Sequence, residues 1–215
     1  MSDGVKARRR YDSRRRQEQA RENRRGVLEA ARRMFLERGY AATTVGAIAA
    51  EAGVSVETVY KAFGNKAGLV KAVVDVAIVG DDEPVPMLQR ERVQRMEAEP
   101  DPRRKLVMYG EHLAESAPRR VPLELLVRAA AAADPAAALV WDQLEAERLT
   151  GMGFFARHLD EGGHLRPGVF VDEARDVLWT YNSAEVYDLL VLRRGWTPER
   201  YGRWVADALA AALLP

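Results

Sequence analysis

Residues 43–66 read Thr43-Thr44-Val45-Gly46-Ala47-Ile48-Ala49-Ala50-Glu51-Ala52-Gly53-Val54-Ser55-Val56-Glu57-Thr58-Val59-Tyr60-Lys61-Ala62-Phe63-Gly64-Asn65-Lys66. Thr43 and Thr44 can cap a helix whose apolar face is Val45, Ile48, Ala49 and Ala52, with Gly53 closing it. Ser55 can cap the next, which carries Val56, Val59, Tyr60 and Phe63 on one face and stops at Gly64. Both helices are short. Asn65 then opens a longer one, in which Leu69, Val70, Val73, Val74, Ala77 and Ile78 keep the helical period until Gly80, Asp81 and Asp82 break it. Upstream, Val27, Ala30, Ala31, Met34 and Phe35 recur at i, i+3, i+4, i+7 and i+8, and Gly39 stands where a helix C′ residue belongs. Two short helices separated by Gly53-Val54-Ser55 have the layout of a helix-turn-helix, whose second helix enters the DNA major groove while the first braces it across the backbone.

The charge distribution supports a polyanionic partner. The formal net charge of the 215 residues is only +1. Residues 1–71, however, hold 16 Lys and Arg against 8 Asp and Glu, and residues 72–215 hold 17 against 24. The surplus is concentrated at the front: Lys6, Arg8, Arg9, Arg10, Arg14, Arg15, Arg16, Arg21, Arg24 and Arg25 face only Asp3, Asp12, Glu18 and Glu22. A basic arm directly upstream of a helix-turn-helix can reach the phosphates that flank an inserted helix. By itself the same run also fits a solvated tail.

The residues around the motif resemble a known family. Ala30-Ala31-Arg32-Arg33-Met34-Phe35-Leu36-Glu37-Arg38-Gly39-Tyr40, then Thr43-Thr44-Val45 with Ile48-Ala49 and Ala52-Gly53-Val54-Ser55, then Thr58-Val59-Tyr60-Lys61-Ala62-Phe63-Gly64-Asn65-Lys66-Ala67-Gly68-Leu69, look like the DNA-binding domain of the TetR family of transcriptional regulators. The likeness extends over about residues 24–74. It implies that Tyr60 and Lys66 contact phosphates, that Thr44 uses its hydroxyl and backbone on a phosphate, and that Ser55, Val56, Glu57, Thr58 and Lys61 face the groove. Thr58 and Lys61 are the foremost base-reading candidates. Each residue also fits a purely structural role: Tyr60 as core, Ser55 as a cap, Lys66 as a solvated charge. The sequence departs from the family at Glu57, where a carboxylate near phosphate is unfavourable unless it accepts from a cytosine amino group. Ala62 and Gly46 also lack side chains that could reach phosphate. The long arginine arm can compensate along the backbone or in the adjacent minor groove.

Beyond the motif, Gly80–Pro86 reads as a linker, and no alternating Val/Ile/Thr run invites a strand. Prolines 84, 86, 100, 102, 118, 122, 135, 167 and 198 divide the rest into helices near 87–98, 102–116, 122–133, 135–161, 172–194 and 198–213. The expected fold is therefore all-α: a basic arm over 1–23, an N-terminal helix-turn-helix three-helix domain within 24–79, and a helical ligand-binding and dimerisation domain over 86–215. Val186, Tyr187, Leu189, Leu190, Val191 and Leu192 are apolar almost all round, which calls for cover on every side, from a second subunit or from the domain itself. A two-fold dimer through the last two long helices is expected.

The family resemblance implies a small-molecule effector for the second domain. Polar-tipped aromatics on candidate core helices, Tyr109 with His112, Trp141, Phe155 and Trp179, mark a candidate site for an apolar or aromatic compound, although ordinary core packing accounts for any one of them. Other functions are disfavoured. With no cysteine there is no disulfide framework, thiolate metal site or Cys nucleophile. His112, His158 and His164 share no close helical spacing, so no metal is expected. Glu111, His112 and Glu115 beside Ser116 or Ser183 could be drawn as a catalytic cluster, but neither a nucleophile elbow nor a phosphate-binding glycine loop accompanies them. No apolar run has the length of a membrane span and no apolar signal core opens the chain, which reads as cytoplasmic. The expectation is a homodimeric, ligand-responsive repressor that binds a palindromic operator in double-stranded DNA, with no cofactor and no catalytic activity. The alternatives are a constitutive DNA-binding protein or, less favoured, a helical enzyme.

Overall fold

The computed structural model describes residues 3–215, with side chains from Arg15 onward except that of Arg16. Among the described residues there is no strand, and no helix is long and apolar enough to cross a membrane. The chain divides into two compact units, one through Val73 and one from Val74.

In the N-terminal unit, α1 spans Asp3–Ala42, α2 Val45–Glu51 and α3 Val56–Phe63, and α4 begins at Lys66 and runs to Val79. Helix α1 starts far ahead of the apolar stripe, so the basic arm is a helical continuation of α1 in its backbone. The arm charges Lys6, Arg8, Arg9, Arg10, Arg14 and Arg16 lie outside the described side chains. Gly39 interrupts α1 with φ 79°, a left-handed conformation that glycine adopts without a Cβ penalty. Val27, Ala31, Met34 and Phe35 of α1, Ile48 and Ala49 of α2 and Val59 of α3 are all buried, with Leu69 and Val70 of α4. Phe35 stacks on Tyr40 with ring centroids 5.9 Å apart. Thr43 is fully buried, its hydroxyl placed 2.8 Å from the Gly39 carbonyl and 3.1 Å from that of Met34. Thr44 alone caps α2, accepting from the Ala47 N–H at 3.1 Å.

The C-terminal unit contains α5 (Glu91–Ala98), α6 (Pro102–Ala131), α7 (Pro135–Glu161), α8 (Val171–Tyr181), α9 (Ala184–Tyr187) and α10 (Pro198–Leu213). A 3₁₀ turn covers Met87–Gln89 and a π-helical segment covers Asp188–Arg193. The helices depart from the sequence pattern in two places. Those expected at 102–116 and 122–133 are one continuous helix, with Pro118 and Pro122 inside it. Pro118 is exposed and Pro122 half-buried, so the carbonyls they leave unpaired need not be desolvated, while Leu113, Ala117, Val121, Leu123 and Val127 are locked into the core. Conversely, the helix expected over 172–194 breaks after Tyr181. Ser183 caps a new turn by accepting from the Val186 N–H at 3.3 Å, and the chain then widens into the π-helical segment.

The core of this unit forms where α10 lies against α6. A Cβ at Gly110 would stand 2.3 Å from the Gly202 carbonyl oxygen, and one at Gly202 would stand 2.3 Å from that of Gly110, so the two backbones meet where neither residue has a side chain. Tyr201, Val205, Leu209 and Leu213 of α10 close over Leu106, Tyr109, Leu113, Ala117 and Val121. Inside this apolar shell Arg120 is buried and pairs with both carboxylate oxygens of Glu124, at 2.7 and 2.9 Å. Burial works against the Arg120 charge, but the Glu124 carboxylate more than offsets it and holds the guanidinium above its ordinary range. Its other nitrogen donates to the Asn182 side chain at 2.5 Å and backbone oxygen at 3.2 Å, pinning the break between α8 and α9. The stretch 80–86 is also tied down, because Arg90 makes a bidentate pair with Asp81 at 2.7 and 3.1 Å.

Candidate nucleic-acid interface

The turn between α2 and α3 is closed from both sides. The Val54 N–H bonds the Ala49 carbonyl at 3.0 Å and the Gly53 N–H bonds that of Ala50 at 3.3 Å, a Schellman arrangement that needs the positive φ of 65° at Gly53. Ser55 then accepts from the Thr58 N–H at 3.2 Å to start α3. At the far end Gly64, with φ 77°, donates to the Tyr60 carbonyl at 2.8 Å. Asn65 accepts from the Gly68 N–H at 2.8 Å to open α4.

Helix α3 is thereby held by its ends while most of its surface stays outside the core. Val59 is its one buried residue, whereas Val56, Glu57, Thr58, Tyr60 and Lys61 are exposed, Tyr60 by 50%. The Arg24 guanidinium of α1 braces α3, lying over the Phe63 ring at 4.7 Å, while Arg33 of α1 pairs with Glu51 of α2. Lys66 is half-buried at the start of α4. Its ammonium donates to the Tyr40 carbonyl at 3.0 Å and sits 4.1 Å from the Tyr40 ring centroid. An ammonium has three donors, so two remain for a phosphate at this helix start. The Thr44 side chain serves as a cap, at the exposed start of α2.

Glu57 stands in the first turn of α3. Its own backbone N–H, and after it the Ser55 hydroxyl, hold its carboxyl below the usual carboxylate range. A negative charge at a helix N-terminus is favoured by the helix dipole.

Gly68 carries no signal in the sequence pattern, yet the geometry depends on it. A Cβ there would stand 2.2 Å from the Phe63 carbonyl oxygen, so this glycine allows α4 to start close under the end of α3.

In the C-terminal unit the five ligand candidates divide among four places. Tyr109 is buried, meets Phe155 edge to face at 5.1 Å and donates to the Met152 sulfur at 3.2 Å. Burial raises its phenol pKa far above the ordinary range. His112 is drawn to α5, where Arg92 donates to its Nδ1 at 3.2 Å and also pairs with Glu115. A guanidinium can only donate, which fixes the histidine proton on Nε2. Burial, with Arg92 next, lowers the His112 pKa to about 4. Trp179 lies against Arg148, whose guanidinium is 4.5 Å from its ring, and the indole N–H is buried without a hydrogen-bond partner. Trp141 is separate, with Arg128 5.9 Å from its ring. Met152, which accepts from Tyr109, and Arg148, which lies over Trp179, have no sequence signature beyond helical spacing.

Among the described residues every regular element is helical, and a capped helix-turn-helix lies in the N-terminal unit. Residues 27–73 match the family described as bacterial regulatory proteins, tetR family. The match is confined to the helix-turn-helix domain. The regulator TtgR of Pseudomonas putida is 48% identical over 62 residues, which are 29% of this chain and 30% of that relative's length. The similarity in sequence thus spans less than a third of either protein. In fold it extends much further. NalD of Pseudomonas aeruginosa aligns over 91% of this chain and 98% of its own, with a TM-score of 0.69 at 21% identity. SmeT of Stenotrophomonas maltophilia aligns over 89% and 90%, with a TM-score of 0.59 at 20% identity.

Proposed function

We propose that the protein is a DNA-binding transcriptional regulator, acting as a homodimeric repressor of a palindromic operator. The observation that carries this reading is α3, capped at both ends, with Val56, Glu57, Thr58, Tyr60 and Lys61 on its open side. Tyr60 and Lys66 contact phosphates, Thr44 and Ser55 set the register of α2 and α3, and Thr58 and Lys61 read bases. Repression is supported by fold relatives: NalD is a secondary repressor of the MexAB-OprM multidrug efflux pump and SmeT is the repressor of the efflux pump SmeDEF. Dimerisation is supported by Leu189, Leu192 and Trp204, which are 53%, 51% and 36% exposed in the single chain. Exposed large apolar side chains are candidates for a self-complementary patch. A two-fold dimer presents two α3 helices to successive major grooves, about 34 to 36 Å apart or a multiple of that.

An apolar or aromatic effector that carries a hydrogen-bond acceptor suits the region of Tyr109, Phe155 and Met152. There a phenol donates only to a thioether, a weak acceptor. Such a compound weakens operator binding only if it prefers the DNA-incompetent state.

The test is fluorescence anisotropy with the inverted repeat nearest the protein's own coding region. Wild type should bind it with a steep salt dependence, K66A and Y60A should weaken binding to all duplexes by similar factors, and T58A or K61A should change base preference. K66A with wild-type affinity across salt concentrations contradicts the phosphate assignment. A well-folded monomer at micromolar concentration contradicts the dimer.

A further inference from the structure

We propose that Glu57 is a specificity-determining residue that reads a cytosine in each operator half-site, with its carboxylate accepting a hydrogen bond from the cytosine N4 amino group. The inference rests on the reading of α3 as the helix that enters the major groove.

Ser55 Oγ accepts from the Thr58 N–H at 3.2 Å and lies 3.0 Å from Thr58 Oγ1, so the two hydroxyls of this turn are engaged with each other. Glu57 and Thr58 are both exposed on the first turn of α3. An ionised carboxylate only accepts hydrogen bonds, and the Glu57 carboxyl is held below the usual carboxylate range, so Glu57 presents an acceptor there.

Acceptors need base-edge donors. In the major groove these are the amino groups of cytosine and adenine, because guanine O6, guanine N7 and thymine O4 are acceptors that a carboxylate repels. Adenine places its N7 acceptor beside its amino group on the same edge, so a carboxylate that approaches it meets a lone pair. Cytosine presents the amino group alone. The remaining oxygen lone pairs of Glu57 are sufficient for this contact without breaking its bonds to α3, since a carboxylate offers about four acceptor positions. Lys61 lies one turn further along, at i+4 from Glu57, on the same open side of the helix. A lysine donates to guanine O6 and N7. The two residues thus form an acceptor and a donor with the spacing to engage the two bases of a C·G pair or of neighbouring pairs.

The experiment is selection of bound duplexes from a randomised library by the full-length protein, repeated with E57Q and E57A, followed by titration of the selected duplex and its single-base variants at fixed salt. Circular dichroism confirms folding, which the exposed position should leave intact. The wild type should enrich a cytosine at one position per half-site, and replacing that cytosine should weaken its binding by about 5- to 150-fold. E57A should lose discrimination at that position alone and keep its salt slope, and E57Q should discriminate less than wild type. The proposal is overturned if E57A selects the same bases as wild type, or if it binds every duplex more tightly by the same factor, which would make Glu57 a simple repulsive charge. Failure of the wild type to enrich any duplex overturns the groove reading of α3 itself, and this proposal with it.

Discussion

Gly68 has no room for a side chain. Its missing Cβ would lie 2.2 Å from the Phe63 carbonyl oxygen, and the obstacle is backbone at the end of α3, which cannot rotate aside. In G68A either α4 must shift or the turn at Gly64-Asn65 must open, and overpacking of this kind costs about 1 to 3 kcal/mol. Urea unfolding should register that loss, and DNA affinity should fall with it because the same shift displaces α3. A G68A protein with wild-type stability would show that α4 yields without cost. His112 supplies a second residue-level effect, through pH. Its pKa is lowered from the ordinary value near 6.5 to about 4, so between those values the unfolded chain takes up a proton that the folded one excludes. The stability from neutral His112 is fully present above about pH 6.5 and is lost as pH falls toward 4. Between about pH 7 and about pH 4.5 the loss should be about 2 kcal/mol. Carboxylates such as Glu115 add their own acid dependence, so the measurement is the difference between wild type and H112Q, whose amide oxygen can still accept from Arg92. Equal pH profiles for the two would remove His112 as a source of acid sensitivity.

At the scale of elements, the helices that local chemistry punctuates were legible and those that packing decides were not. Gly53, Ser55, Gly64 and Asn65 act within a few residues of themselves, through a positive φ or a cap. The helix-turn-helix could therefore be read residue by residue, and its exposed candidates Val56, Glu57, Thr58, Tyr60 and Lys61 all lie on one short helix. Pro118 and Pro122 carry an equally strong local signal to stop a helix. They fail because Leu113, Ala117, Val121 and Val127 of the same helix are buried where it packs on α7 and α10, and no local pattern reveals that. The break at Ser183 was hidden for the complementary reason: its cap is local, but the grip of Arg120 on Asn182 that pins the break acts between distant parts of the chain. The ligand candidates were similarly legible as residue types but not as a group: Tyr109 and Phe155 meet, while His112, Trp141 and Trp179 turn to separate arginines. Where packing overrides propensity, a residual cost stays in the helix. P118A restores an N–H to an exposed position, for which helix propensity favours alanine by about 3 kcal/mol, while the freer unfolded chain takes back up to about 1 kcal/mol. P118A should therefore be more stable than wild type by about 2 to 3 kcal/mol in urea unfolding. A destabilised P118A would mean that the proline ring has a packing role on the outer face of α6.

At the scale of the whole molecule the dominant feature is the division of charge, basic before Val73 and acidic after it. A polyanion attracted to the first region is repelled by the second, which favours binding through one end of the chain. The helical form of the arm limits how it can take part. An α-helix with its side chains is about 10 to 12 Å across and the minor groove about 6 Å wide, so the arm in this conformation is too wide to enter that groove. Phosphate contacts are sequence-independent and release condensed counterions, which lowers log affinity against log salt by about 0.9 for each phosphate neutralised. Residues 1–20 contain seven Lys and Arg against three Asp and Glu. Removing them should leave base preference intact, because Thr58, Lys61 and Glu57 remain on α3. It should weaken every duplex by a common factor and flatten the salt slope by about 0.9 for each phosphate left without its cation. The decisive comparison is the ratio of affinities for selected and scrambled duplexes. If deletion changes that ratio, the arm reads sequence, and its helix must unwind at the DNA to do so. If the slope is unchanged as well as the ratio, the arm makes no phosphate contact and the basic charge that matters begins at Arg21.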